Sequence, residues 1–200
     1  MNRREAIQKT MLALGYAISA PSLMGVLNGC TAKPELAYVP DFFNKDQALL
    51  ISELSEIIIP KTDTPGAKDA GVPGFIDSMV KEVYSKEQQD EFVKDMTAFD
   101  DDAKKMFGDS FATCSHEDKI AFVKKHHDAA LAESKGGGST GWWNAGTGAK
   151  RPFILTVKEL TLLGFFTSKL GATEVLQYNP VPGPYKGCVD LEKVGKAWAT

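Results

Sequence analysis

The chain has 200 residues, with 23 basic and 26 acidic side chains and a formal charge of −3. Hydrophobic residues make up 43% and charged residues 24%, which excludes a wholly disordered chain, a collagen-like repeat and a multi-span membrane protein. With no basic surplus to neutralise phosphates, nucleic acid is not an expected partner, and three cysteines are too few for a disulfide framework.

The N-terminus departs from this average. Arg3, Arg4, Glu5 and Lys9 precede a stretch, residues 10–32, that holds no charge. A basic head, an apolar middle and small residues at the end form the layout of an export signal. A permanent span needs about 20 mostly apolar residues. Gly15, Pro21 and Gly25 interrupt this run, so a cleaved signal is the expected reading. Arg3-Arg4 points to the twin-arginine route, which moves folded proteins, although Ala6 and Ile7 only partly supply the bulky apolar residue usual after the pair. Leu27-Asn28-Gly29-Cys30 has the order of a bacterial lipobox, with Cys30 as the lipid-bearing residue that would hold the protein on a membrane. Cleavage there removes Arg3, Arg4, Lys9 and Glu5 and shifts the net charge from −3 to −5. The expected organisation is a signal over 1–29, a tether over 30–43 and a single helical domain over 44–200, located in the periplasm or cell envelope. In that oxidising compartment Cys114 and Cys188 would be free to pair, though their separation in space cannot be read from sequence.

Asn44 with Gln47 forms a capping box before a helix whose Leu50, Leu54, Ile57 and Ile58 share one face. Pro60 ends it. Residues 60–74 hold three prolines and three glycines and read as a structured loop. A short helix follows, with Phe75, Ile76, Met79, Val80 and Val83 inward. Ser85 with Gln88 caps a long helix to about Phe107, with Phe92, Met96, Phe99, Ala103 and Met106 as its seam. Asp100, Asp101 and Asp102 fall mostly off that seam and read as a solvated face. Gly108 breaks this helix. Ser115 with Asp118 caps the next, over about 116–133, with Ile120, Val123, Ala130 and Leu131 inward. Residues 135–149 form a glycine-rich loop. A last helix is predicted from Thr156, capped against Glu159, to Leu170, apolar almost all round and therefore central, with Gly171 as its stop. The remaining tail is irregular. No run of alternating strands occurs, so the fold class expected is all-α: a compact bundle of about five helices with long ordered Pro/Gly-rich loops.

The chemistry-bearing residues do not assemble into a site. Gly136, Gly138 and Gly141 match G-x-G-x-x-G, but no strand precedes them and no helix follows, as a dinucleotide fingerprint requires. His116 and His127 share a helix face about 16 Å apart at 1.5 Å per residue, too far for one metal ion. No covalent haem motif, nucleophile elbow or metalloprotease motif is present. No catalytic, cofactor or metal residue is therefore assigned. Trp142 and Trp143, adjacent in a polar loop, fit either a partner contact or a loop folded back on the body, and Tyr178, Tyr185 and Trp198 pose the same choice.

Three blocks occur together: Pro60-Lys61-Thr62-Asp63-Thr64-Pro65-Gly66-Ala67 with Ala70-Gly71-Val72, then Leu163-Gly164-Phe165-Phe166-Thr167-Ser168, then Tyr178-Asn179-Pro180-Val181-Pro182-Gly183-Pro184-Tyr185-Lys186-Gly187-Cys188. With the Arg3-Arg4 signal they resemble the gluconate 2-dehydrogenase subunit 3 family over about residues 40–190. The resemblance implies a non-catalytic small subunit of a periplasmic dehydrogenase. Its large partner would be an FAD flavoprotein of the glucose-methanol-choline type, with a cytochrome c subunit carrying haem c as a further partner. The small subunit would supply the export signal and help the flavoprotein mature. The candidate partner contacts are Thr62, Asp63, Thr64, Pro65, Trp142, Trp143, Tyr178, Pro182 and Tyr185; their structural alternative is that proline and glycine merely fix turns over the core. Two further readings stand beside this one: a stand-alone envelope lipoprotein that binds a small ligand or another protein, and a chain that is itself the dehydrogenase.

Overall fold

The computed structural model describes residues 35–134, 151–181, 183–184 and 187–199. Most helix boundaries follow from local chemistry. Before α1 (Lys45–Ile58), Asn44 Oδ1 accepts from Gln47 N at 2.9 Å and Gln47 Oε1 accepts from Asn44 N at 3.0 Å. Two otherwise orphaned N–H groups are thereby satisfied at once. α2 (Val72–Glu82) carries Pro73 in its first turn, where the missing N–H costs nothing. α3 (Lys86–Phe107) repeats the reciprocal box with Ser85 and Gln88, and stops at Gly108, whose φ of +84° is a left-handed conformation that glycine adopts without steric cost. A 3₁₀ turn, Phe111–Thr113, leads to α4 (His116–Ser134), where Ser115 Oγ accepts from Asp118 N at 3.2 Å. α5 (Phe153–Thr167), a π-helical turn (Gly171–Val175) and a four-residue α6 (Leu191–Val194) complete the described elements. Among the described residues the fold is an all-α bundle of five long helices, and the pairing of Gln177 with Trp198 is an isolated bridge.

α5 packs against α1, α2, α3 and α4, as its all-round apolar sequence requires. Aromatic rings join the layers. Phe92 lies 5.2 Å from Phe153 and 5.9 Å from Phe43, while Phe99 lies 4.9 Å from Phe122 and 5.5 Å from Phe153. Each buried ring contributes about 1.5–3 kcal/mol by removal from water.

Several details differ from the sequence expectation, among them Val83 and Leu131, which are exposed and not inward. α5 begins at Phe153, not Thr156, because Phe153, Ile154 and Leu155 are all buried and Pro152 supplies a preset φ at the entry. Glu159 pairs with Arg151 instead of closing a cap, and Thr156 Oγ1 donates to Pro152 O at 3.3 Å. Inward positions also slip within two helices: Phe122 is buried where Ile120 is exposed, and Phe107 packs inward while Met106 faces out. Finally, α5 is not covered everywhere, since Leu163 and Phe166 remain 40% and 41% exposed.

The segment expected to be a tether joins the body earlier than Phe42. Leu36, Tyr38 and Phe42 already pack against the core, and Phe43 is part of it. Among the described residues no helix is long and apolar enough to cross a membrane.

Candidate functional site

Surface features of three kinds could meet a partner: the loop after α1, the C-terminal loop and a groove between α3 and α4. The first is held from beneath by carboxylates of α1. Glu56 Oε1 accepts from Lys61 N and its Oε2 from Lys68 N, each at 2.9 Å, so one side chain brackets both ends of the loop. Ala67 N donates to Ile59 O at 2.9 Å and closes the turn. One turn earlier on α1, Glu53 receives both Lys68 and Lys119, the latter at 2.7 Å to Oε2. Burial pushes the Glu53 carboxyl up, but hydrogen bonds from Lys119 and Lys68 outweigh it, and its pKa falls below the ordinary value. The loop is therefore a fixed platform. Thr62, Asp63 and Thr64 are exposed on it and Pro65 is half-buried. Thr62 N donates to Thr64 O at 3.0 Å, and Lys61 pairs with Asp69 at 3.0 Å.

The C-terminal loop is pinned at its base. Gln177 N donates to Ala197 O at 2.8 Å, and Ala199 N donates to Gln177 O at 2.9 Å. In the amide orientation that satisfies both its atoms, the Gln177 side-chain nitrogen donates to Val194 O at 2.7 Å and Lys196 O at 3.1 Å. Lys196 Nζ donates to Glu174 O at 3.2 Å. Tyr178 and Val181 are exposed just beyond this base, where Asn179 Oδ1 accepts from Val181 N at 3.1 Å. Trp198, opposite Gln177, is also exposed.

The groove lies between α3 and α4 beside the start of α5 and encloses about 240 Å3. Phe99, Ala130 and Phe153 form its floor; Asp102, His126 and Glu133 stand among its lining residues. The His126 ring sits 4.3 Å from Phe122 and 5.1 Å from Phe99. Burial lowers its pKa, Asp102 opposes that, and Lys125 adds to it. The next residue, His127, has its Nε2 2.9 Å from Lys158 Nζ. Among the described residues no three His, Cys, Asp or Glu side chains converge closely enough to hold a metal ion.

Of the residues singled out in the sequence, Arg3, Arg4, Cys30, Trp142, Trp143, Pro182 and Tyr185 lie outside the described residues. Cys114 and Cys188 are free thiols, and Cys114 Sγ donates to Ser110 O at 3.3 Å. Asp100, expected on a solvated face, instead turns partly inward. Its Oδ1 accepts from Ser110 Oγ at 2.8 Å and Phe111 N at 2.9 Å, fixing the turn that follows α3. Sequence reasoning also missed Glu53, Glu56 and Asp77, the last of which accepts from the backbone N–H groups of Asp41, Phe42 and Phe43. The available signal was position: each carboxylate sits beside or within an apolar helix face, where a charge must find a partner.

An all-α body with braced surface loops is thus the class of protein that the fold defines. Residues 45–183 match the family model described as gluconate 2-dehydrogenase subunit 3, and the chain belongs to that family. The match begins at the first residue of α1 and ends within the C-terminal loop. Neither the curated proteins nor the solved structures compared with the chain include a match.

Proposed function

We propose that this chain is the non-catalytic small subunit of a cell-envelope flavoprotein dehydrogenase, and that it assists the export, maturation and stability of an FAD-bearing large subunit of the glucose-methanol-choline type. The observation that carries this reading is the family match, whose description makes the chain one subunit of a dehydrogenase. The braced loop after α1 and the pinned C-terminal loop support it, because rigid exposed surfaces lose little entropy on docking. Thr62 to Pro65 and Tyr178 are the described residues assigned to that contact, together with Trp142, Trp143, Pro182 and Tyr185. FAD resides in the large subunit, and haem c in a third, cytochrome c subunit. The Arg3-Arg4 signal sends the complex through the twin-arginine route, and Cys30 carries the lipid that holds it on the membrane.

Affinity purification of the tagged full-length chain from its native envelope tests this. The expected result is co-purification of a protein with a flavin absorbance spectrum and dye-linked sugar or sugar-acid oxidation. Recovery of the chain alone at native expression overturns the assignment. Replacing Arg3 and Arg4 with lysine should retain both chain and flavoprotein in the cytoplasm. Cys30→Ser should release the exported chain from the membrane fraction.

A further inference from the structure

Two adjacent histidines hold the C-terminal half of α4, each to a different neighbour. The His126 ring packs 5.1 Å from Phe99 of α3 and 4.3 Å from Phe122, at the edge of the groove. His127 turns toward α5, where its Nε2 stands 2.9 Å from Lys158 Nζ. An ammonium group only donates, so Nε2 must accept and the ring must be neutral, with its proton on Nδ1. Nδ1 in turn lies 3.6 Å from Asp128 Oδ1. The N-terminal half of α4 is fastened differently. Lys119 reaches Glu53 at 2.7 Å, and that carboxyl has its pKa below the ordinary 4.5. The pair therefore stays ionised while histidines titrate.

Both contacts of the C-terminal half depend on an uncharged imidazole. A proton on His127 Nε2 removes the acceptor and sets a cationic ring against the Lys158 ammonium. A proton on His126 places a charge among aromatic rings. Burial holds the His126 pKa below the ordinary 6.5, Asp102 of α3 opposes this, and Lys125 adds to it. Asp95 and Lys105 of α3 and Glu133 of α4 also line the hollows beside the ring, and the start of α5 contributes no charge there. A base whose folded pKa lies below its unfolded value takes its proton more readily in the unfolded state. Stability is therefore lost as the pH falls through 6.5, and the loss is complete below the folded value. We propose that His126 and His127 form an acid-sensitive latch: neutral, they hold the C-terminal half of α4 to α3 and α5; protonated, they release it while Lys119 keeps the N-terminal half in place. Release uncovers Phe99 and Phe153 on the floor of the groove. The device belongs to this chain alone and stands whether or not a flavoprotein binds it.

Amide hydrogen exchange of the full-length chain, corrected for the intrinsic effect of pH on exchange, tests this. Between about pH 7.5 and about pH 5, protection of residues 126–134 should fall by about tenfold or more, while residues 116–122 keep theirs. The double variant His126→Gln, His127→Gln cannot charge at either position, and an amide oxygen at position 127 still accepts from Lys158. There the fall should disappear. No fall in the parent, an equal fall in the variant, or a fall along the whole helix overturns the proposal. If the variant does not fold, nitrogen NMR of the parent decides. At neutral pH His127 should carry its proton on Nδ1, and in acid both rings should take up a proton over the range in which protection is lost. A proton on Nε2 at neutral pH, or protection lost with neither ring titrating, overturns the latch. His116, exposed at the start of α4, serves as the internal control.

Discussion

At Glu53 two lysines meet one carboxylate, and the three charges tie α1 to the following loop and to α4. The side chains of Glu53 and Lys119 are 14% and 9% exposed, so their pairing is little screened. Because the folded-state pKa of Glu53 lies below its ordinary 4.5, its contribution is fully present above that value and is lost as the pH falls through the lower folded value. Glu53→Gln should therefore cost about 3 kcal/mol at neutral pH, most of it from leaving Lys119 buried without its charge partner. In urea titrations the gap between variant and parent should narrow as the pH is lowered from 5 into the acid range. A gap that stays constant there would contradict this account. Neither lysine was legible as a partner in the sequence. Lys119 is 66 residues away, and its burial depends on a helix packing that periodicity does not encode.

Helix starts were legible where the capping residue and its reciprocal lie within four positions, as at Asn44, Ser85 and Ser115. The start of α5 was not, because the motif at Thr156 and Glu159 competes with burial of Phe153 and with Arg151, and the longer-range terms win. The inward faces of α3 and α4 slipped by one or two residues for a related reason. Phe107 and Phe122 carry the larger rings, which lie 5.9 Å apart, and burying them outweighs Met106 and Ile120. Gly164 marks the crossing of α5 over α2. A Cβ there would stand 2.6 Å from Phe75 Cδ1, so Gly164→Ala must displace the ring. Overpacking of this kind costs about 1–3 kcal/mol. Phe75→Leu should recover at least half of it, and a double-mutant cycle measured by thermal unfolding would show the coupling. Additive losses would mean that the crossing is not tight.

On the scale of the whole molecule, the all-α class is legible in the sequence because helical periods and glycine stops dominate the body. The candidate site was legible only as segments. Proline and glycine announce the loop after α1 and the C-terminal loop, yet the residues that brace them, Glu56 and Gln177, carry no motif. The buried core runs from Phe43 to Phe165 and leaves the C-terminal loop outside it. A chain ending after Leu176 should therefore melt within a few degrees of the parent, since about 1 kcal/mol corresponds to about 2–4 °C at this size. If that loop contacts the flavoprotein, the same truncation should lower co-purification of flavin by tenfold or more. A large fall in melting temperature would assign the loop to stability instead.

The two lysines on Glu53 also set an order of events during synthesis. Lys68 lies 15 residues beyond Glu53 and Lys119 lies 66 residues beyond it. The nearer ring closes at lower entropic cost and is available on a partly made chain, before α4 exists to deliver the second lysine. Lys68→Met should therefore slow refolding, whereas Lys119→Met should chiefly speed unfolding, a division that stopped-flow kinetics can read. The same carboxylate would act first as a nucleus for the loop and then as the lock that records the arrival of α4.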